Sequence, residues 1–133
     1  MDVAPAAHAA ALWAGLNLIL LLVLSVRVVR LRRRHGVEFG DGERTDLALA
    51  VRAFGNATEY VPAAIAAIAV LALVGAPVLL VHAAGLMLFA GRVSHGLGLS
   101  RSRGASIPRA AGVVLTWLAY ILTAVALLFY AIP

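Results

Sequence analysis

Four stretches of this chain have the length and apolarity of membrane spans, and that feature restricts the fold more than any other. The clearest is Ala63-Ala-Ile-Ala-Ala-Ile-Ala-Val-Leu-Ala-Leu-Val74, which completes the second span. The first has Leu16-Asn-Leu-Ile-Leu-Leu-Leu-Val-Leu-Ser-Val26 as its body, and the fourth carries no charge after Arg109. A bilayer offers no water to backbone N–H and C=O groups, so runs of this kind are helices that satisfy those groups internally. The reading is an all-α integral membrane four-helix bundle, with helices over about 6–30, 46–74, 77–99 and 109–132. These use nearly all of the 133 residues as one four-span domain, 1–133, and are expected to leave no room for a soluble domain. The first apolar run is as long as a full span and is expected to stay as the first helix rather than be cleaved.

Composition bounds the chemistry. Charged residues make up 13% of the chain, against roughly 25% in soluble domains, which agrees with a membrane protein. There is no cysteine, so disulfides, thiolate metal sites and a cysteine nucleophile are excluded, and any thiol chemistry must come from a ligand. The histidines lack a paired spacing and the carboxylates are few, so no metal site is expected. No phosphate-binding glycine loop and no serine-hydrolase elbow is present. The basic residues sit at the edges of spans, which argues against nucleic acid as a partner.

All the basic charge is arginine, and every arginine lies in or beside two connections. Arg27, Arg30, Arg32, Arg33 and Arg34 end the first span, and Arg101, Arg103 and Arg109 surround the link between the third and fourth. The positive-inside rule places both links in the cytoplasm and both termini outside. The first cluster reads mainly as a topology anchor that touches lipid headgroups, while Arg27 and Arg30, nearest the span, could also reach an anionic ligand. Between the first two spans, His35-Gly-Val-Glu-Phe-Gly-Asp-Gly-Glu-Arg-Thr45 reads as a loop, with Thr45 or Asp46 as the expected cap of the second helix. Gly75-Ala-Pro77 reads as a tight turn that makes the second and third helices antiparallel neighbours.

Polar groups inside spans are costly and mark functional candidates. At about 100° per residue, Arg52, Asn56 and Glu59 fall on one helix face, with Tyr60 at its edge. In the third span Arg92, His95 and Leu99 stand at i, i+3 and i+7, at the same depth. Together they suit a small zwitterionic or anionic ligand: Arg52 could hold a carboxylate bidentately and Glu59 an ammonium. The bland alternative is that Arg52 or Arg92 only neutralises Glu59 so that the bundle can form. Asn17, alone in the first span, is more often a helix–helix hydrogen bond than a ligand contact. His82 reads as a hydrogen-bonded or interfacial histidine, Trp117 and Tyr120 as packing or lipid-facing, and Tyr130 as an interfacial anchor.

At these residues the chain resembles the MAPEG family, the membrane-associated proteins in eicosanoid and glutathione metabolism, in its small bacterial branch. The resemblance covers most of the chain. It rests on the arginine-rich end of the first span, Arg52-x-x-x-Asn56-x-x-Glu59-Tyr60-x-Pro62, the turn near Pro77, and Gly91-Arg92-x-x-His95-x-x-Gly98. It implies a left-handed bundle assembling as a homotrimer in a bacterial inner membrane, with glutathione as co-substrate in clefts between subunits. Arg52, Asn56, Glu59, Tyr60, Arg92 and His95 would bind it, with Arg27 or Arg30 supplied from the end of the first helix. Arg109, with Arg103 and Arg101 as alternatives, would favour the thiolate of the bound thiol, whose ordinary pKa is about 8.5. The thiolate would attack a lipophilic electrophile or reduce a lipid hydroperoxide. The chain departs from several family members in having Leu99 where they carry a tyrosine. Two other readings stand beside this one: a non-catalytic lipid- or ligand-binding protein of the same fold, and a small proton-coupled multidrug exporter. The exporter fits the length, but the small exporters keep an essential glutamate in the first span, which has no acid here.

Overall fold

The structure is a computed structural model describing residues 4–101, 104 and 106–132, with residues 100 and 101 described as backbone only. It contains four helices, α1 (Ala4–His35), α2 (Thr45–Leu73), α3 (Val78–Arg101) and α4 (Ile107–Ala131). All four are long and apolar enough to cross a membrane. Among the described residues there is no strand.

The helices differ from the expected ranges mainly at the basic end. The sequence reading stops the first helix near Arg30, but α1 continues through the arginines to His35. Arginine is a good helix former and its cations complement the negative end of the helix dipole, so the cluster extends the helix. At 1.5 Å per residue, the 32 residues of α1 span about 48 Å against about 30 Å of hydrocarbon, so the basic end stands clear of the apolar layer. The helix stops at Gly36, which adopts φ 65°, and the Val37 N–H closes back on the Arg32 carbonyl at 3.0 Å. Gly75, at φ 81°, ends α2 in the same way, with Ala76 N–H reaching the Leu71 carbonyl. Both are Schellman closures, which require a left-handed residue just past the helix. The expected cap of α2 is corrected: Arg44 holds the N-cap position without a side-chain bond. Asp46 lies one step inside the helix, where it accepts from Leu47 N–H at 2.9 Å and pairs with His35 Nε2, also at 2.9 Å. The acid therefore ties the start of α2 to the end of α1.

The central pair is α2 and α3. α1 packs on both of them from one side and α4 on both from the other, and α1 does not touch α4 among the described residues. α1 and α3 run parallel in constant register, for Trp13 lies on Gly85 and Leu24 lies on Gly96. The core interleaves alanines with leucine, isoleucine and valine. Ala64, Ile68, Leu71, Val81, Ala84, Leu88 and Ala119 fill the half near the termini, and Leu24, Ala53, Ala57 and Leu99 the half near the arginines. Lipid tails are as apolar as leucine, so helix pairing in a membrane relies on close backbone approach and interhelical hydrogen bonds. The α3–α4 seam shows this most clearly. A Cβ on Gly112 would meet the His95 backbone N at 2.5 Å and the Gly91 carbonyl at 2.6 Å, and one on Gly91 would meet the Gly112 carbonyl at 2.9 Å. That seam sets the depth at which α3 presents its polar groups.

Candidate functional site

The polar face of α2 and the arginine of α3 meet in one connected lattice. Arg92 is 2% exposed, and three of its N–H groups are engaged. Nε donates to Thr116 Oγ1 at 2.9 Å, Nη1 to Asn56 Oδ1 at 2.7 Å and Nη2 to the Gly112 carbonyl at 3.3 Å. Its guanidinium also sits 5.0 Å from the centroid of the Tyr60 ring, a cation–π contact. A buried cation in a span needs such neutralisation, and here dipoles and an aromatic face supply it in place of a carboxylate.

The consequence passes outward through Asn56. Because its Oδ1 accepts from Arg92, its NH2 must point the other way, and Nδ2 donates to Glu59 Oε2 at 3.4 Å. The network thereby fixes the orientation of the amide. Glu59 Oε1 in turn lies 3.5 Å from Arg52 Nη1, with side chains 61% and 55% exposed for Arg52 and Glu59 respectively. Arg92 thus anchors the lattice from inside, and Arg52 and Glu59 form an accessible pair of opposite charges on its rim. Tyr60 completes the support: its carbonyl accepts from the Tyr120 hydroxyl at 2.6 Å, and the two rings meet edge to face. Pro62, inside α2 two residues later, withholds an N–H from the helix ladder.

The structure therefore brings together five residues singled out by the sequence: Arg52, Asn56, Glu59, Tyr60 and Arg92. His95 is one turn from Arg92, but it is buried and its backbone is pressed against Gly112. Arg109 is half-buried at the start of α4, with its backbone against Gly98, and lines a separate groove of about 490 Å3 with Ser106, Ala110, Val113 and Val114. Arg27 and Arg30 line another, on α1. Within one chain these three arginines do not share the groove into which Arg52 opens beside Gly40 and Asp41. Arg103 and the side chain of Arg101 lie outside the described residues. Among the described residues no cluster of histidines and carboxylates could hold a metal ion.

Three residues of α4 escaped the sequence reading as parts of this lattice: Gly112, Thr116 and Tyr120. A usable signal was present in Gly112-x-x-x-Thr116, the small-residue spacing that marks close helix contact in membranes. Asn17 differs from its expected role. It is fully buried, but its Nδ2 donates to the carbonyl of Trp13 in its own helix at 2.8 Å, while its Oδ1 has no partner. His82 is hydrogen-bonded as expected, accepting from Trp13 Nε1 at 3.1 Å through Nδ1.

Comparison with known proteins agrees with this arrangement. The profile of the MAPEG family matches residues 10–129, a stretch that contains every residue of the lattice. The chain belongs to the MAPEG family. Two curated relatives, the Inner membrane protein YecN of Escherichia coli strain K12 and that of Escherichia coli O6:H1 strain CFT073, are each 39% identical over 120 residues, covering 90% of this chain and 90% of the relative. With four apolar helices and relatives named for the inner membrane, this MAPEG chain is an integral membrane protein.

Proposed function

We propose that this MAPEG protein is a glutathione-dependent membrane transferase or peroxidase acting on lipophilic electrophiles or hydroperoxides. The observation that carries the reading is the exposed Arg52–Glu59 pair, held at 3.5 Å by a lattice rooted in buried Arg92. A free surface pair of this kind adds little stability. A cation and an anion 3.5 Å apart on one exposed rim, by contrast, suit a peptide with a carboxylate at one end and an ammonium beside another carboxylate, as in glutathione. Arg52 takes the carboxylate, Glu59 the ammonium, and Asn56 the backbone amide. Arg92 holds Asn56 and contributes from below.

Arg109 supplies the positive charge that favours the thiolate. In conjugation the thiolate forms a C–S bond with the electrophilic carbon, whose leaving group departs with its electron pair. In peroxide reduction the thiolate sulfur attacks one peroxide oxygen and the O–O bond breaks, giving a sulfenic acid and an alkoxide that takes a proton from water to leave as the alcohol, and a second thiol converts the sulfenic acid to a disulfide and water. Arg109 and Arg52 line different grooves of one chain, which supports an assembly, proposed as a homotrimer, that completes the site between copies. The proposed topology puts this end of the bundle and both arginine-rich links in the cytoplasm.

The test is titration of glutathione into detergent-purified protein, followed by thiolate absorbance in the ultraviolet, with Arg109→Ala alongside. A thiolate signal lost in the variant supports the enzyme, and failure of wild type to bind glutathione overturns it. One observation favours a second, non-catalytic reading. Leu99 is 2% exposed and packs with Leu24, Ala53 and Ala57, so the position at which other members place a tyrosine is here part of the core. Saturable glutathione binding without thiolate formation selects that reading.

A further inference from the structure

Between α2 and α4 the packing leaves a space. The rings of Tyr60 and Tyr120 stand edge to face with centroids 5.9 Å apart, which props the two helices open at that level. Beyond the rings the facing positions are mostly alanine, among them Ala63, Ala67 and Ala124, whose methyl groups do not close the gap, and a cavity of about 120 Å3 remains. Ile68 and Thr123 are buried at its floor. Ala63 and Ala124 are exposed on the surface of spanning helices and form its mouth. Among the residues that line it, the only side-chain polar atoms are two hydroxyls, and both are engaged within the protein. Thr123 Oγ1 donates to the Ala119 carbonyl at 2.7 Å, and the Tyr120 hydroxyl to the Tyr60 carbonyl at 2.6 Å. Water finds too few partners in such a place, and cavities of this kind stay dry and accept apolar guests.

We infer that this cavity holds the distal end of one acyl chain of a bilayer lipid, entering between Ala63 and Ala124 and ending against Ile68 and the Tyr120 ring. Size selects the shape of the guest. An apolar cavity of about 150 Å3 takes the six carbons of benzene; on that scale about 120 Å3 admits an unbranched run of about five carbons and is small for a ring. Depth selects the part of the lipid. Ala63 and Ile68 lie ten and five residues before the end of α2 at Leu73, about 15 and 8 Å along the axis, and the hydrocarbon of one leaflet is about 15 Å deep. The cavity therefore faces the inner part of a leaflet, where the distal carbons of acyl chains lie. The absence of a free polar group among its walls sets the guest apart from the reacting end of a thiol or an electrophile, and the assignment does not rest on the proposed thiol chemistry. It bears on the lattice all the same. Tyr120 is a wall of the cavity and holds the Tyr60 carbonyl, and the Tyr60 ring lies against Arg92, so a filled cavity braces the tyrosine pair from behind.

The experiment reconstitutes the full chain into vesicles of phosphatidylglycerol that carry a photoactivated diazirine on the terminal carbon of one acyl chain or, in a parallel sample, beside the ester. Labelled residues are mapped by peptide mass spectrometry. The terminal probe is expected to label Ala63 and Ala67 above Ala66 and Ala69, which are exposed on the same helix outside the cavity; the probe beside the ester is expected to show no such excess. Ala67→Leu and Ala124→Leu, one from each wall, extend a methyl to an isobutyl group within the space. Both are expected to lose the excess label with the thermal midpoint unchanged or raised, and Ala69→Leu to keep it. Equal labelling inside and outside the cavity overturns the proposal in favour of ordinary lipid contact, and an excess that survives in both filling variants overturns the cavity as its source. A lowered midpoint in both filling variants overturns the existence of the space. Absence of label with break-up of the oligomer in the filling variants overturns the proposal by assigning the space to a neighbouring copy. Displacement of the label by a linear alkyl hydroperoxide overturns it by assigning the space to the tail of the lipophilic co-substrate.

Discussion

Gly112→Ala tests whether the α3–α4 seam holds the lattice in place. The new methyl carbon would lie 2.5 Å from the His95 backbone N and 2.6 Å from the Gly91 carbonyl. Both are main-chain atoms of a packed helix and cannot swing aside, so α3 and α4 must separate by roughly 1 Å to reach ordinary contact. The same displacement lengthens two of the three bonds of Arg92. Nη2 to the Gly112 carbonyl begins at 3.3 Å and Nε to Thr116 begins at 2.9 Å, and both then pass the hydrogen-bond limit. Overpacking costs about 1–3 kcal/mol, and interhelical hydrogen bonds in membranes average about 0.6 kcal/mol each. The expected loss is therefore about 2–4 kcal/mol in mixed-micelle denaturation, with glutathione binding weakened although no ligand-facing residue has changed. Gly15→Ala is the control. Nothing lies within 4 Å of its added carbon, and alanine in a helix is favoured over glycine by about 0.5–1 kcal/mol, so it should be neutral or stabilising. If Gly112→Ala lies within about 0.5 kcal/mol of wild type and binds normally, the seam is not what positions Arg92.

Arg52→Ala and Glu59→Gln are each expected to abolish glutathione binding by calorimetry while costing less than about 1 kcal/mol of stability, because both side chains are more than half exposed; unchanged binding in both would refute the clamp. Arg92→Leu should do the reverse in part, losing stability first and binding as a consequence, since it orphans Asn56 Oδ1 and leaves the Gly112 carbonyl with the Thr116 hydroxyl as its remaining side-chain donor; full glutathione affinity at reduced stability would show that Asn56 needs no anchor. Asn17→Leu is expected to be neutral or stabilising by up to about 1 kcal/mol in micelle denaturation, since it removes a buried acceptor without a partner, and a large loss would mean that Oδ1 is satisfied in the membrane. Gly75→Ala should destabilise by about 1–2 kcal/mol by the same assay, because a side chain is strained at φ 81°.

The fold was legible because its strongest signals are one-dimensional. Apolar length gave the four spans, and Gly75 with Pro77 gave the turn. On α2 the i, i+4, i+7 spacing gave the face that the lattice uses. What the sequence concealed depends on two helices at once. The exposed Arg52 and the sequestered Arg92 are the same residue type in similar surroundings, and only α4, arriving at hydrogen-bond distance, distinguishes rim from root. Thr116 and Gly112 act through a hydroxyl and a carbonyl inside an apolar run, where neither changes the hydropathy pattern. The reach of α1 to His35 was hidden because an arginine cluster reads as loop by charge and as helix by propensity, and propensity prevailed beyond the hydrocarbon.

The division of Arg92's bonds between helices bears on how the chain enters the membrane. Two of its three acceptors, Thr116 and Gly112, are on α4, which is synthesised last. While α3 is the newest segment at the insertion machinery, its arginine can call only on Asn56 and the Tyr60 ring of α2. An arginine at the centre of an isolated span raises the cost of insertion by about 2.5–3.5 kcal/mol. α3 is thus a reluctant span until Ile107–Ala131 emerges, and the two helices are best released into the bilayer as a hairpin.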